Sequence, residues 1–314
     1  MLTTVRFILK TVRSISKCKF YCFKIKNGFI FLNPFLFFEK NNNEKTVGII
    51  GNGFVGESTA FAFSPTNDVK IYDINSLRST HTIEEVHNCE YVFVCVPTPM
   101  DFNGKQDISY IEEVFKYANN KPIYIIKSTI LPGTTERLIG ENPKLKIIFS
   151  PEFLTERTAK LDMLTQSRII LGGELELTKQ VEKLFNERFM NRHIIHTDSK
   201  TAEFIKYMNN TFFATKVSIM NEFYRLSNVL DINWEDALYG FASDGRVGDS
   251  HLHVPGPDGK LGFGGTCFPK DINALINVAK ENSVDMNVLE AAWKTNLEVR
   301  EVYDRDWETC TTKT

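Results

Sequence analysis

One cysteine of the sequence stands where its thiol could act as a nucleophile. Cys267 lies in the stretch Gly262–Asp271 (Gly-Phe-Gly-Gly-Thr-Cys-Phe-Pro-Lys-Asp), whose three glycines let the backbone come close to another molecule. We expect this cysteine at a junction between a loop and a helix, beside Lys270 and Asp271. A helix N-terminus and a nearby cation lower the pKa of a thiol and favour the thiolate. The pattern therefore predicts a nucleophilic Cys267, and the alternative is a buried structural cysteine.

A glycine-rich turn near residue 50 predicts a second chemical function. Residues 51–56 read Gly-Asn-Gly-Phe-Val-Gly, a G-x-G-x-x-G pattern that follows the apolar run Val47–Ile50 and opens a helical stretch. Such glycines allow a tight turn, the approach of a pyrophosphate and close helix–strand packing. Asp73, seventeen residues after Gly56, ends the next strand and is placed to bind a ribose hydroxyl. A carboxylate there repels a 2′-phosphate, so the sequence favours NAD over NADP.

Two further turns follow strands of the same predicted sheet. They are Val96–Pro99, which contains Thr98, and the pair Ser128 and Thr129. Loops at the carboxyl ends of parallel strands face the ligand crevice. By position these residues are candidate contacts for a cofactor or substrate, whereas by composition they are only turns.

The elements that must position these residues alternate along the first half of the chain. We predict strands over 45–50, 69–73, 90–96, 122–127 and 146–149 and helices over 54–63, 108–118 and 134–139. This alternation predicts an α/β Rossmann domain, a doubly wound parallel sheet, over residues 45–198. Predicted helices over 201–229, 271–281 and 287–299 then indicate a mainly helical domain at 199–308, followed by a tail at 309–314.

Composition excludes several classes of protein. The 314 residues allow about two domains and can bury their cores without disulfides. The six cysteines include no Cys-x-x-Cys pair, so neither a disulfide scaffold nor a metal site is expected. We interpret Cys89, Cys95 and Cys310 as structural. Unpaired cysteines fit a reducing compartment and hence a cytoplasmic protein. A net charge of −2 predicts no nucleic-acid partner.

The first 44 residues differ in composition from the rest. From Met1 to Lys45 there are nine Lys and Arg against two Glu, a net charge of +7. This acid-poor start is typical of an organelle transit peptide, and the alternative is an extension without function. The aromatic run over 28–38 is too short for a membrane span and carries Asn33-Pro34, so no membrane partner is expected. We expect the fold to form without residues 1–44.

Seven motifs in order show a family resemblance. The sequence resembles the UDP-glucose/GDP-mannose 6-dehydrogenase family from about residue 45 to residue 308. The motifs are Gly51–Gly56, Val96–Pro99, Lys127–Thr129 with Pro132–Thr135, Ser150–Glu156, Lys206 with Asn210, Lys216–Glu222, and Gly264–Asp271.

The resemblance implies a four-electron oxidation of a primary alcohol to a carboxylate with two NAD⁺. Cys267 would capture the intermediate aldehyde as a thiohemiacetal, and a thioester would follow. Lys206 and Asn210 lie four residues apart, on one face of a helix, and would stabilise the oxyanion. Asp271 would orient Lys206 or a water molecule.

The site residues implied by the resemblance fall into three sets. The catalytic set is Cys267, Lys206, Asn210, Asp271, Glu152 and Thr129, with Glu152 or Glu156 as the base for hydrolysis. The cofactor set is Gly51, Gly53, Phe54, Val55, Gly56, Asp73, Thr98, Thr129 and Glu156. The substrate set is Phe153, Leu154, Lys206, Asn210, Arg246 and Gly264. The resemblance implies that Arg246 reaches the site of a neighbouring subunit, in a homodimer built on the helix over 201–229.

The substrate stays open at this point. UDP-glucose is favoured over GDP-mannose and UDP-N-acetylhexosamines, which relatives with the same catalytic set oxidise. The chain stops at Thr314, so we expect a short form that lacks most of the family's last domain. An inactive NAD-binding homologue is the rival from another class. A two-electron hydroxyacid dehydrogenase would leave Cys267 without a role.

Overall fold

The computed structural model describes residues 22–25, 28–31, 44–101 and 104–309. Cys310 and most of the predicted tail lie outside these ranges, as does the greater part of the basic segment before Lys45. Within that segment, strands β1 (Cys22–Ile25) and β2 (Gly28–Phe31) pair antiparallel.

A seven-stranded sheet forms the centre of the first half of the chain. Its strands are β3 (Thr46–Ile50), β4 (Asp68–Tyr72), β5 (Tyr91–Val94), β6 (Ile123–Ile126), β7 (Lys146–Phe149), β8 (Arg168–Gly172) and β9 (His193–Thr197). The spatial order is β4-β3-β5-β6-β7-β8-β9. The first five strands in this order are parallel, β8 is antiparallel to β7, and β9 is parallel to β8. The predicted doubly wound Rossmann sheet is confirmed.

Helices cover both faces of this sheet. They are α1 (Phe54–Phe63), α2 (Ile83–His87), α3 (Ser109–Lys116), α4 (Thr134–Glu141), α5 (Ala159–Thr165) and α6 (Leu175–Arg188). Side chains alternate across each strand, so the strands supply two hydrophobic cores. Ile49 and Phe93 lie in one core with α1 and α6, whereas Val92 and Tyr124 lie in the other with α3.

The second half of the chain is helical, as predicted. Its first helix, α7 (Ser199–Val229), has 31 residues. Asp198 caps the N-terminus of α7, because its side chain accepts a hydrogen bond from the backbone N–H of Thr201. The helices that follow it are α8 (Trp234–Ala242), α9 (Cys267–Glu281) and α10 (Asn287–Val299). Tyr207 of α7 shares a core with Ile272 of α9 and Leu289 of α10.

The start of α9 differs more from its prediction than any other helix boundary does. Helix α9 begins at Cys267, whereas the sequence predicted its start at Asp271. The earlier start places Pro269 in the first turn, where proline is tolerated because a backbone N–H there has no partner within the helix. The earlier start makes Cys267 the first helical residue.

Within the described ranges, no helix combines the length and the apolar character needed to cross a membrane.

Candidate active site

A cavity of about 520 Å³ opens at the carboxyl ends of the parallel strands, against the start of α9. Nine of the predicted site residues line it: Gly51, Gly53, Phe54, Val55, Asp73, Thr98, Thr129, Glu152 and Cys267. The glycine-rich turn and the cysteine are more than 200 positions apart in the sequence, and the fold places both in the wall of the same cavity. A bound molecule could therefore contact both.

The glycine-rich turn has the backbone that a dinucleotide requires. Gly51 has φ +89°, and a Cβ there would lie 2.8 Å from the backbone of Cys95. A Cβ on Gly56, which lies behind the cavity wall, would lie 1.9 Å from the Gly51 oxygen. Within the described residues, no side chain caps the N-terminus of α1 at Gly53. Its first N–H groups are thus left for an anion such as a pyrophosphate.

Asp73 is held in place by the same turn. Its Oδ2 accepts a hydrogen bond of 2.6 Å from the backbone N–H of Asn52, and its Oδ1 accepts one of 2.8 Å from Asn75. The carboxylate therefore faces the cavity from a fixed position at the end of β4. This is the position that the sequence predicted for a ribose ligand.

Thr129 depends on a residue that the sequence did not indicate. Its backbone oxygen accepts hydrogen bonds of 2.8 Å from the Thr98 hydroxyl and from Nε2 of Gln106. The Gln106 amide also donates to the Tyr207 hydroxyl and accepts from the Leu131 backbone N–H, each at 3.2 Å. Gln106 thus joins two loops of the sheet to α7. A lone glutamine in a loop carries no sequence signal for this role.

Cys267 lies at the cavity wall with its pKa shifted against expectation. The sequence predicted a lowered thiol pKa, but burial raises it, and the charge of Asp271 adds to the increase. Lys206 and Lys270 act in the opposite direction without reversing the result. Burial of the thiol therefore has a larger effect on its pKa than the two lysines have.

Lys206 and Glu152 form a buried ion pair beside this thiol. Lys206 Nζ donates to Glu152 Oε1 at 2.9 Å and to the Glu152 backbone oxygen at 2.7 Å. Both side chains are almost fully buried, with 4% and 6% exposed. Burial lowers the pKa of Lys206, but the carboxylates of Glu152 and Asp271 outweigh it and raise that pKa overall. Lys206 therefore carries its charge at neutral pH.

A second buried polar pair links α7 with α9. Asn210 Nδ2 donates to Asp271 Oδ2 at 2.6 Å, and Asp271 is fully buried. Lys270 Nζ binds the other oxygen of Asp271. Lys206, Asn210 and Asp271, predicted together, thus belong to two buried pairs that are close enough for Asp271 to act on the charge of Lys206.

The ring of Phe153, the residue after Glu152, packs against two cationic side chains. The Phe153 ring has the Arg168 guanidinium 4.5 Å from its centroid and Lys206 Nζ at 5.6 Å. The backbone N–H of Leu154 donates to Glu152 Oε2 at 2.7 Å, which orients that carboxylate. Arg168 was not predicted, because it opens a strand that the sequence analysis did not assign.

The loop before Cys267 is held by the residues that follow α10. Gly264 lies against Arg300, where a Cβ would come within 2.2 Å of the guanidinium. Asp306 accepts hydrogen bonds from the backbone N–H of Gly265 at 3.0 and 3.1 Å. Trp307 is 4% exposed and lines the cavity. Nothing in the local sequence marked these three contacts.

Nine predicted site residues do not line the cavity: Gly56, Phe153, Leu154, Glu156, Lys206, Asn210, Arg246, Gly264 and Asp271. Two of them, Glu156 and Arg246, are exposed. Glu156 is exposed in a short 3₁₀ turn. Arg246 is 90% exposed and pairs with Asp244. Their cofactor and substrate roles stay predictions. Among the described residues, no group of three His, Cys, Asp or Glu side chains could hold a metal ion.

Two family models match this chain, and the boundary between the two matched regions lies near the end of the sheet. Residues 72–189 match the NAD binding domain of the UDP-glucose/GDP-mannose dehydrogenase family, and residues 200–298 match the central domain of that family. These matches define the class, an NAD-binding Rossmann domain joined to a helical central domain.

Individual relatives extend these matches. A UDP-glucose 6-dehydrogenase from Rickettsia bellii is 34% identical over 68% of this chain and 51% of its own. A UDP-glucose 6-dehydrogenase from Campylobacter jejuni is 31% identical over 88% of this chain and 71% of its own. The chain belongs to the UDP-glucose/GDP-mannose dehydrogenase family. It spans about half the length of the Rickettsia relative.

Solved structures share the fold. A UDP-glucose dehydrogenase from Pyrobaculum islandicum superposes with a TM-score of 0.74 at 24% identity, over 83% of this chain and 70% of that one. A UDP-D-ManNAc dehydrogenase from Pyrococcus horikoshii superposes with a TM-score of 0.70 at 26% identity, over 81% and 68%.

Proposed function

We propose that this chain oxidises the C6 alcohol of a nucleotide sugar to the carboxylate with NAD⁺, converting UDP-glucose to UDP-glucuronate. One observation carries the proposal. Cys267 shares a cavity with the glycine-rich turn and Asp73, and it lies near two buried pairs, Lys206 with Glu152 and Asn210 with Asp271. We assign cofactor binding to residues 45–198 and the catalytic cysteine to residues 199–308.

The residues at the turn fit a dinucleotide. The free N–H groups at Gly53–Val55 suit the pyrophosphate, and the Asp73 carboxylate suits the ribose hydroxyls. Thr98 and Thr129 line the same cavity as Cys267. When bound, NAD⁺ supplies the acceptor for two electrons and one proton in each oxidation.

Cys267 holds the substrate between the two oxidations. The thiol loses its proton to solvent as the sulfur bonds to the aldehyde carbon. The carbonyl electrons move onto the oxygen, which then takes up a proton to give the thiohemiacetal. The ammonium of Lys206 and the amide of Asn210 are the donors for that oxyanion. Loss of two further electrons then converts the thiohemiacetal to a thioester.

Glu152 completes the reaction as a general base. Its carboxylate faces the cavity and is held at both oxygens, by Lys206 and by the Leu154 N–H. It accepts a proton from water, which attacks the thioester carbon while the bond to sulfur breaks. In sum, one alcohol, two NAD⁺ and one water give one carboxylate, two NADH and three protons.

The names of relatives bear on the choice of nucleotide sugar. The name of the Campylobacter relative supports UDP-glucose as the substrate. This chain covers 71% of the length of that relative. The Pyrococcus relative is named for an N-acetylmannosamine substrate, which keeps UDP-N-acetylhexosamines as the second candidate. GDP-mannose is a third.

Release of NADH tests the proposal. The chain is incubated with NAD⁺ and each of the three sugar classes, and NADH is counted per sugar consumed. We expect two NADH per UDP-glucose. One NADH per sugar would indicate a two-electron dehydrogenase, and no NADH with any sugar, despite NAD⁺ binding, would indicate an inactive homologue.

We also propose that two copies assemble along α7. Apolar side chains on its exposed face have no cover within the described chain: Phe204, Met208, Phe212, Ile219, Phe223 and Leu226. A second α7 would cover them through a two-fold contact. In such a dimer the exposed side chain of Arg246, which pairs with Asp244 in the single chain, would reach the partner's site.

A further inference from the structure

A buried ammonium lies at the cavity wall and has no part in the chemistry described so far. Lys127 directly follows β6, and only 4% of it is exposed. It lines the same cavity as Cys267 and Glu152. Burying a charged group is costly unless it is paired and hydrogen-bonded.

The partners of Lys127 are backbone oxygens at the end of β7. Its Nζ donates to the carbonyl of Ser150 at 3.0 Å and lies 3.5 Å from the carbonyl of Pro151. These are the two residues immediately before Glu152. The ammonium therefore holds the stretch of backbone from which the Glu152 carboxylate projects.

Glu152 is thus fixed by lysines from two directions. Lys206 of α7 binds its carboxylate and its backbone oxygen, whereas Lys127, directly after β6, binds the two preceding carbonyls. One lysine belongs to the helical half of the chain and the other to the sheet. Both positive charges lie close enough to interact with Glu152.

We propose that Lys127 is a positioning residue for Glu152, which it holds in place for the hydrolysis of the Cys267 thioester. This inference rests on the proposed function. It assigns Lys127 to the last step, in which water adds to the thioester and the bond to sulfur breaks. The two oxidation steps depend on other groups.

Burial also makes the charge of Lys127 sensitive to pH. Desolvation lowers the pKa of Lys127 to about 8, and the titratable groups that face it are Cys95, Glu152 and Lys206. The ammonium is charged below this pKa and neutral above it. Thioester hydrolysis should therefore weaken as the pH rises through about 8.

The test compares Lys127→Met with Lys127→Arg in the full chain. Lys127→Met removes charge and hydrogen bonds, and we expect thioester hydrolysis to slow at least tenfold. A rapid first release of NADH should then precede a slow steady state, with a sugar adduct on Cys267 visible by intact-mass spectrometry. Lys127→Arg should restore hydrolysis and keep it above pH 8, because arginine stays charged there.

A matched control separates this role from a structural one. Arg192 also donates from a partly buried side chain to a backbone oxygen, that of Leu164 at 2.8 Å, outside the cavity lining. Arg192→Met should change the melting temperature without any adduct on Cys267. If Lys127→Met does not fold, Lys127→Gln keeps a donor without the charge and gives the same readout.

The outcomes distinguish the two proposals. An active wild type together with a folded Lys127→Met that has unchanged kcat and no adduct would overturn the role of Lys127 alone. A wild type that releases no NADH from any nucleotide sugar would overturn the proposed function and this role with it.

Discussion

Lys206 Nζ lies 2.9 Å from Glu152 Oε1 and 2.7 Å from the Glu152 backbone oxygen, although the two residues are 54 positions apart. The pair joins α7 to the loop that follows β7. With both side chains buried, each charge depends on the other for compensation. The pair therefore links the stability of the fold to the geometry of the site.

Breaking this pair should destabilise the protein strongly. Lys206→Met leaves the Glu152 carboxylate buried without its cation, which costs about 3–5 kcal/mol in the free energy of unfolding. The double variant Lys206→Met/Glu152→Gln removes both charges and should recover a large part of this loss. Urea unfolding of the wild type, both single variants and the double variant measures the coupling. Additive losses would show that the two side chains do not interact.

Removal of the thiol should abolish formation of the acid. Cys267→Ser and Cys267→Ala cannot pass through a thioester, so we expect no nucleotide-sugar carboxylate in the product. Cys89→Ala is the matched control, because Cys89 is buried outside the cavity lining and burial raises its pKa to about 11. Chromatography of the products is the measurement. Acid production near the wild-type rate by Cys267→Ala would rule out the mechanism.

The charges around Cys267 should shift its reactivity with pH in opposite directions. Asp271 raises the pKa of the thiol, so Asp271→Asn should move the midpoint of alkylation to lower pH. Lys206 lowers the same pKa, and Lys206→Met should move the midpoint to higher pH. The rate of iodoacetamide labelling against pH, read on the Cys267 peptide by mass spectrometry, gives both midpoints. Equal midpoints in all three proteins would contradict the electrostatic assignment.

Local patterns in the sequence were enough for part of this site. The turn at Gly51–Gly56 and the position of Asp73 are recognisable because strand, turn and helix follow one another within a short stretch. Helix α7 was predicted from its apolar spacing. Strands β8 and β9 were not assigned, although in the structure neither is shorter than any of the strands that were predicted.

Other features depend on contacts between distant residues. Gln106 binds Tyr207 from 101 positions away, and Lys127 binds Ser150 from 23 positions away. No local pattern records such a pairing. The predicted direction of the Cys267 pKa shift was wrong for the same reason. Burial by the rest of the fold raises the pKa by more than the neighbouring residues in the sequence can lower it.

The cofactor preference should follow from Asp73. Its carboxylate is held by the N–H groups of Asn52 and Asn75 and cannot easily turn away from a 2′-phosphate. We expect kcat/KM for NAD⁺ to exceed that for NADP⁺ by at least 100-fold, about 2.7 kcal/mol. Asp73→Asn removes the repulsion and should narrow the ratio at least tenfold. A wild type with equal kcat/KM for both cofactors would contradict the role of Asp73.

The exposed face of α7 should hold two copies together. Phe212 lies near the middle of this face and is 65% exposed in the single chain, and Met208 is 53% exposed one turn before it. Phe212→Glu places a charge in the proposed interface and should convert a dimer into a monomer at micromolar concentration. Tyr117→Glu is the control, because Tyr117 is 66% exposed but lies at the end of α3. Light scattering gives the masses, and activity is measured alongside. A wild-type monomer with full activity would remove both the interface and the shared-site role of Arg246.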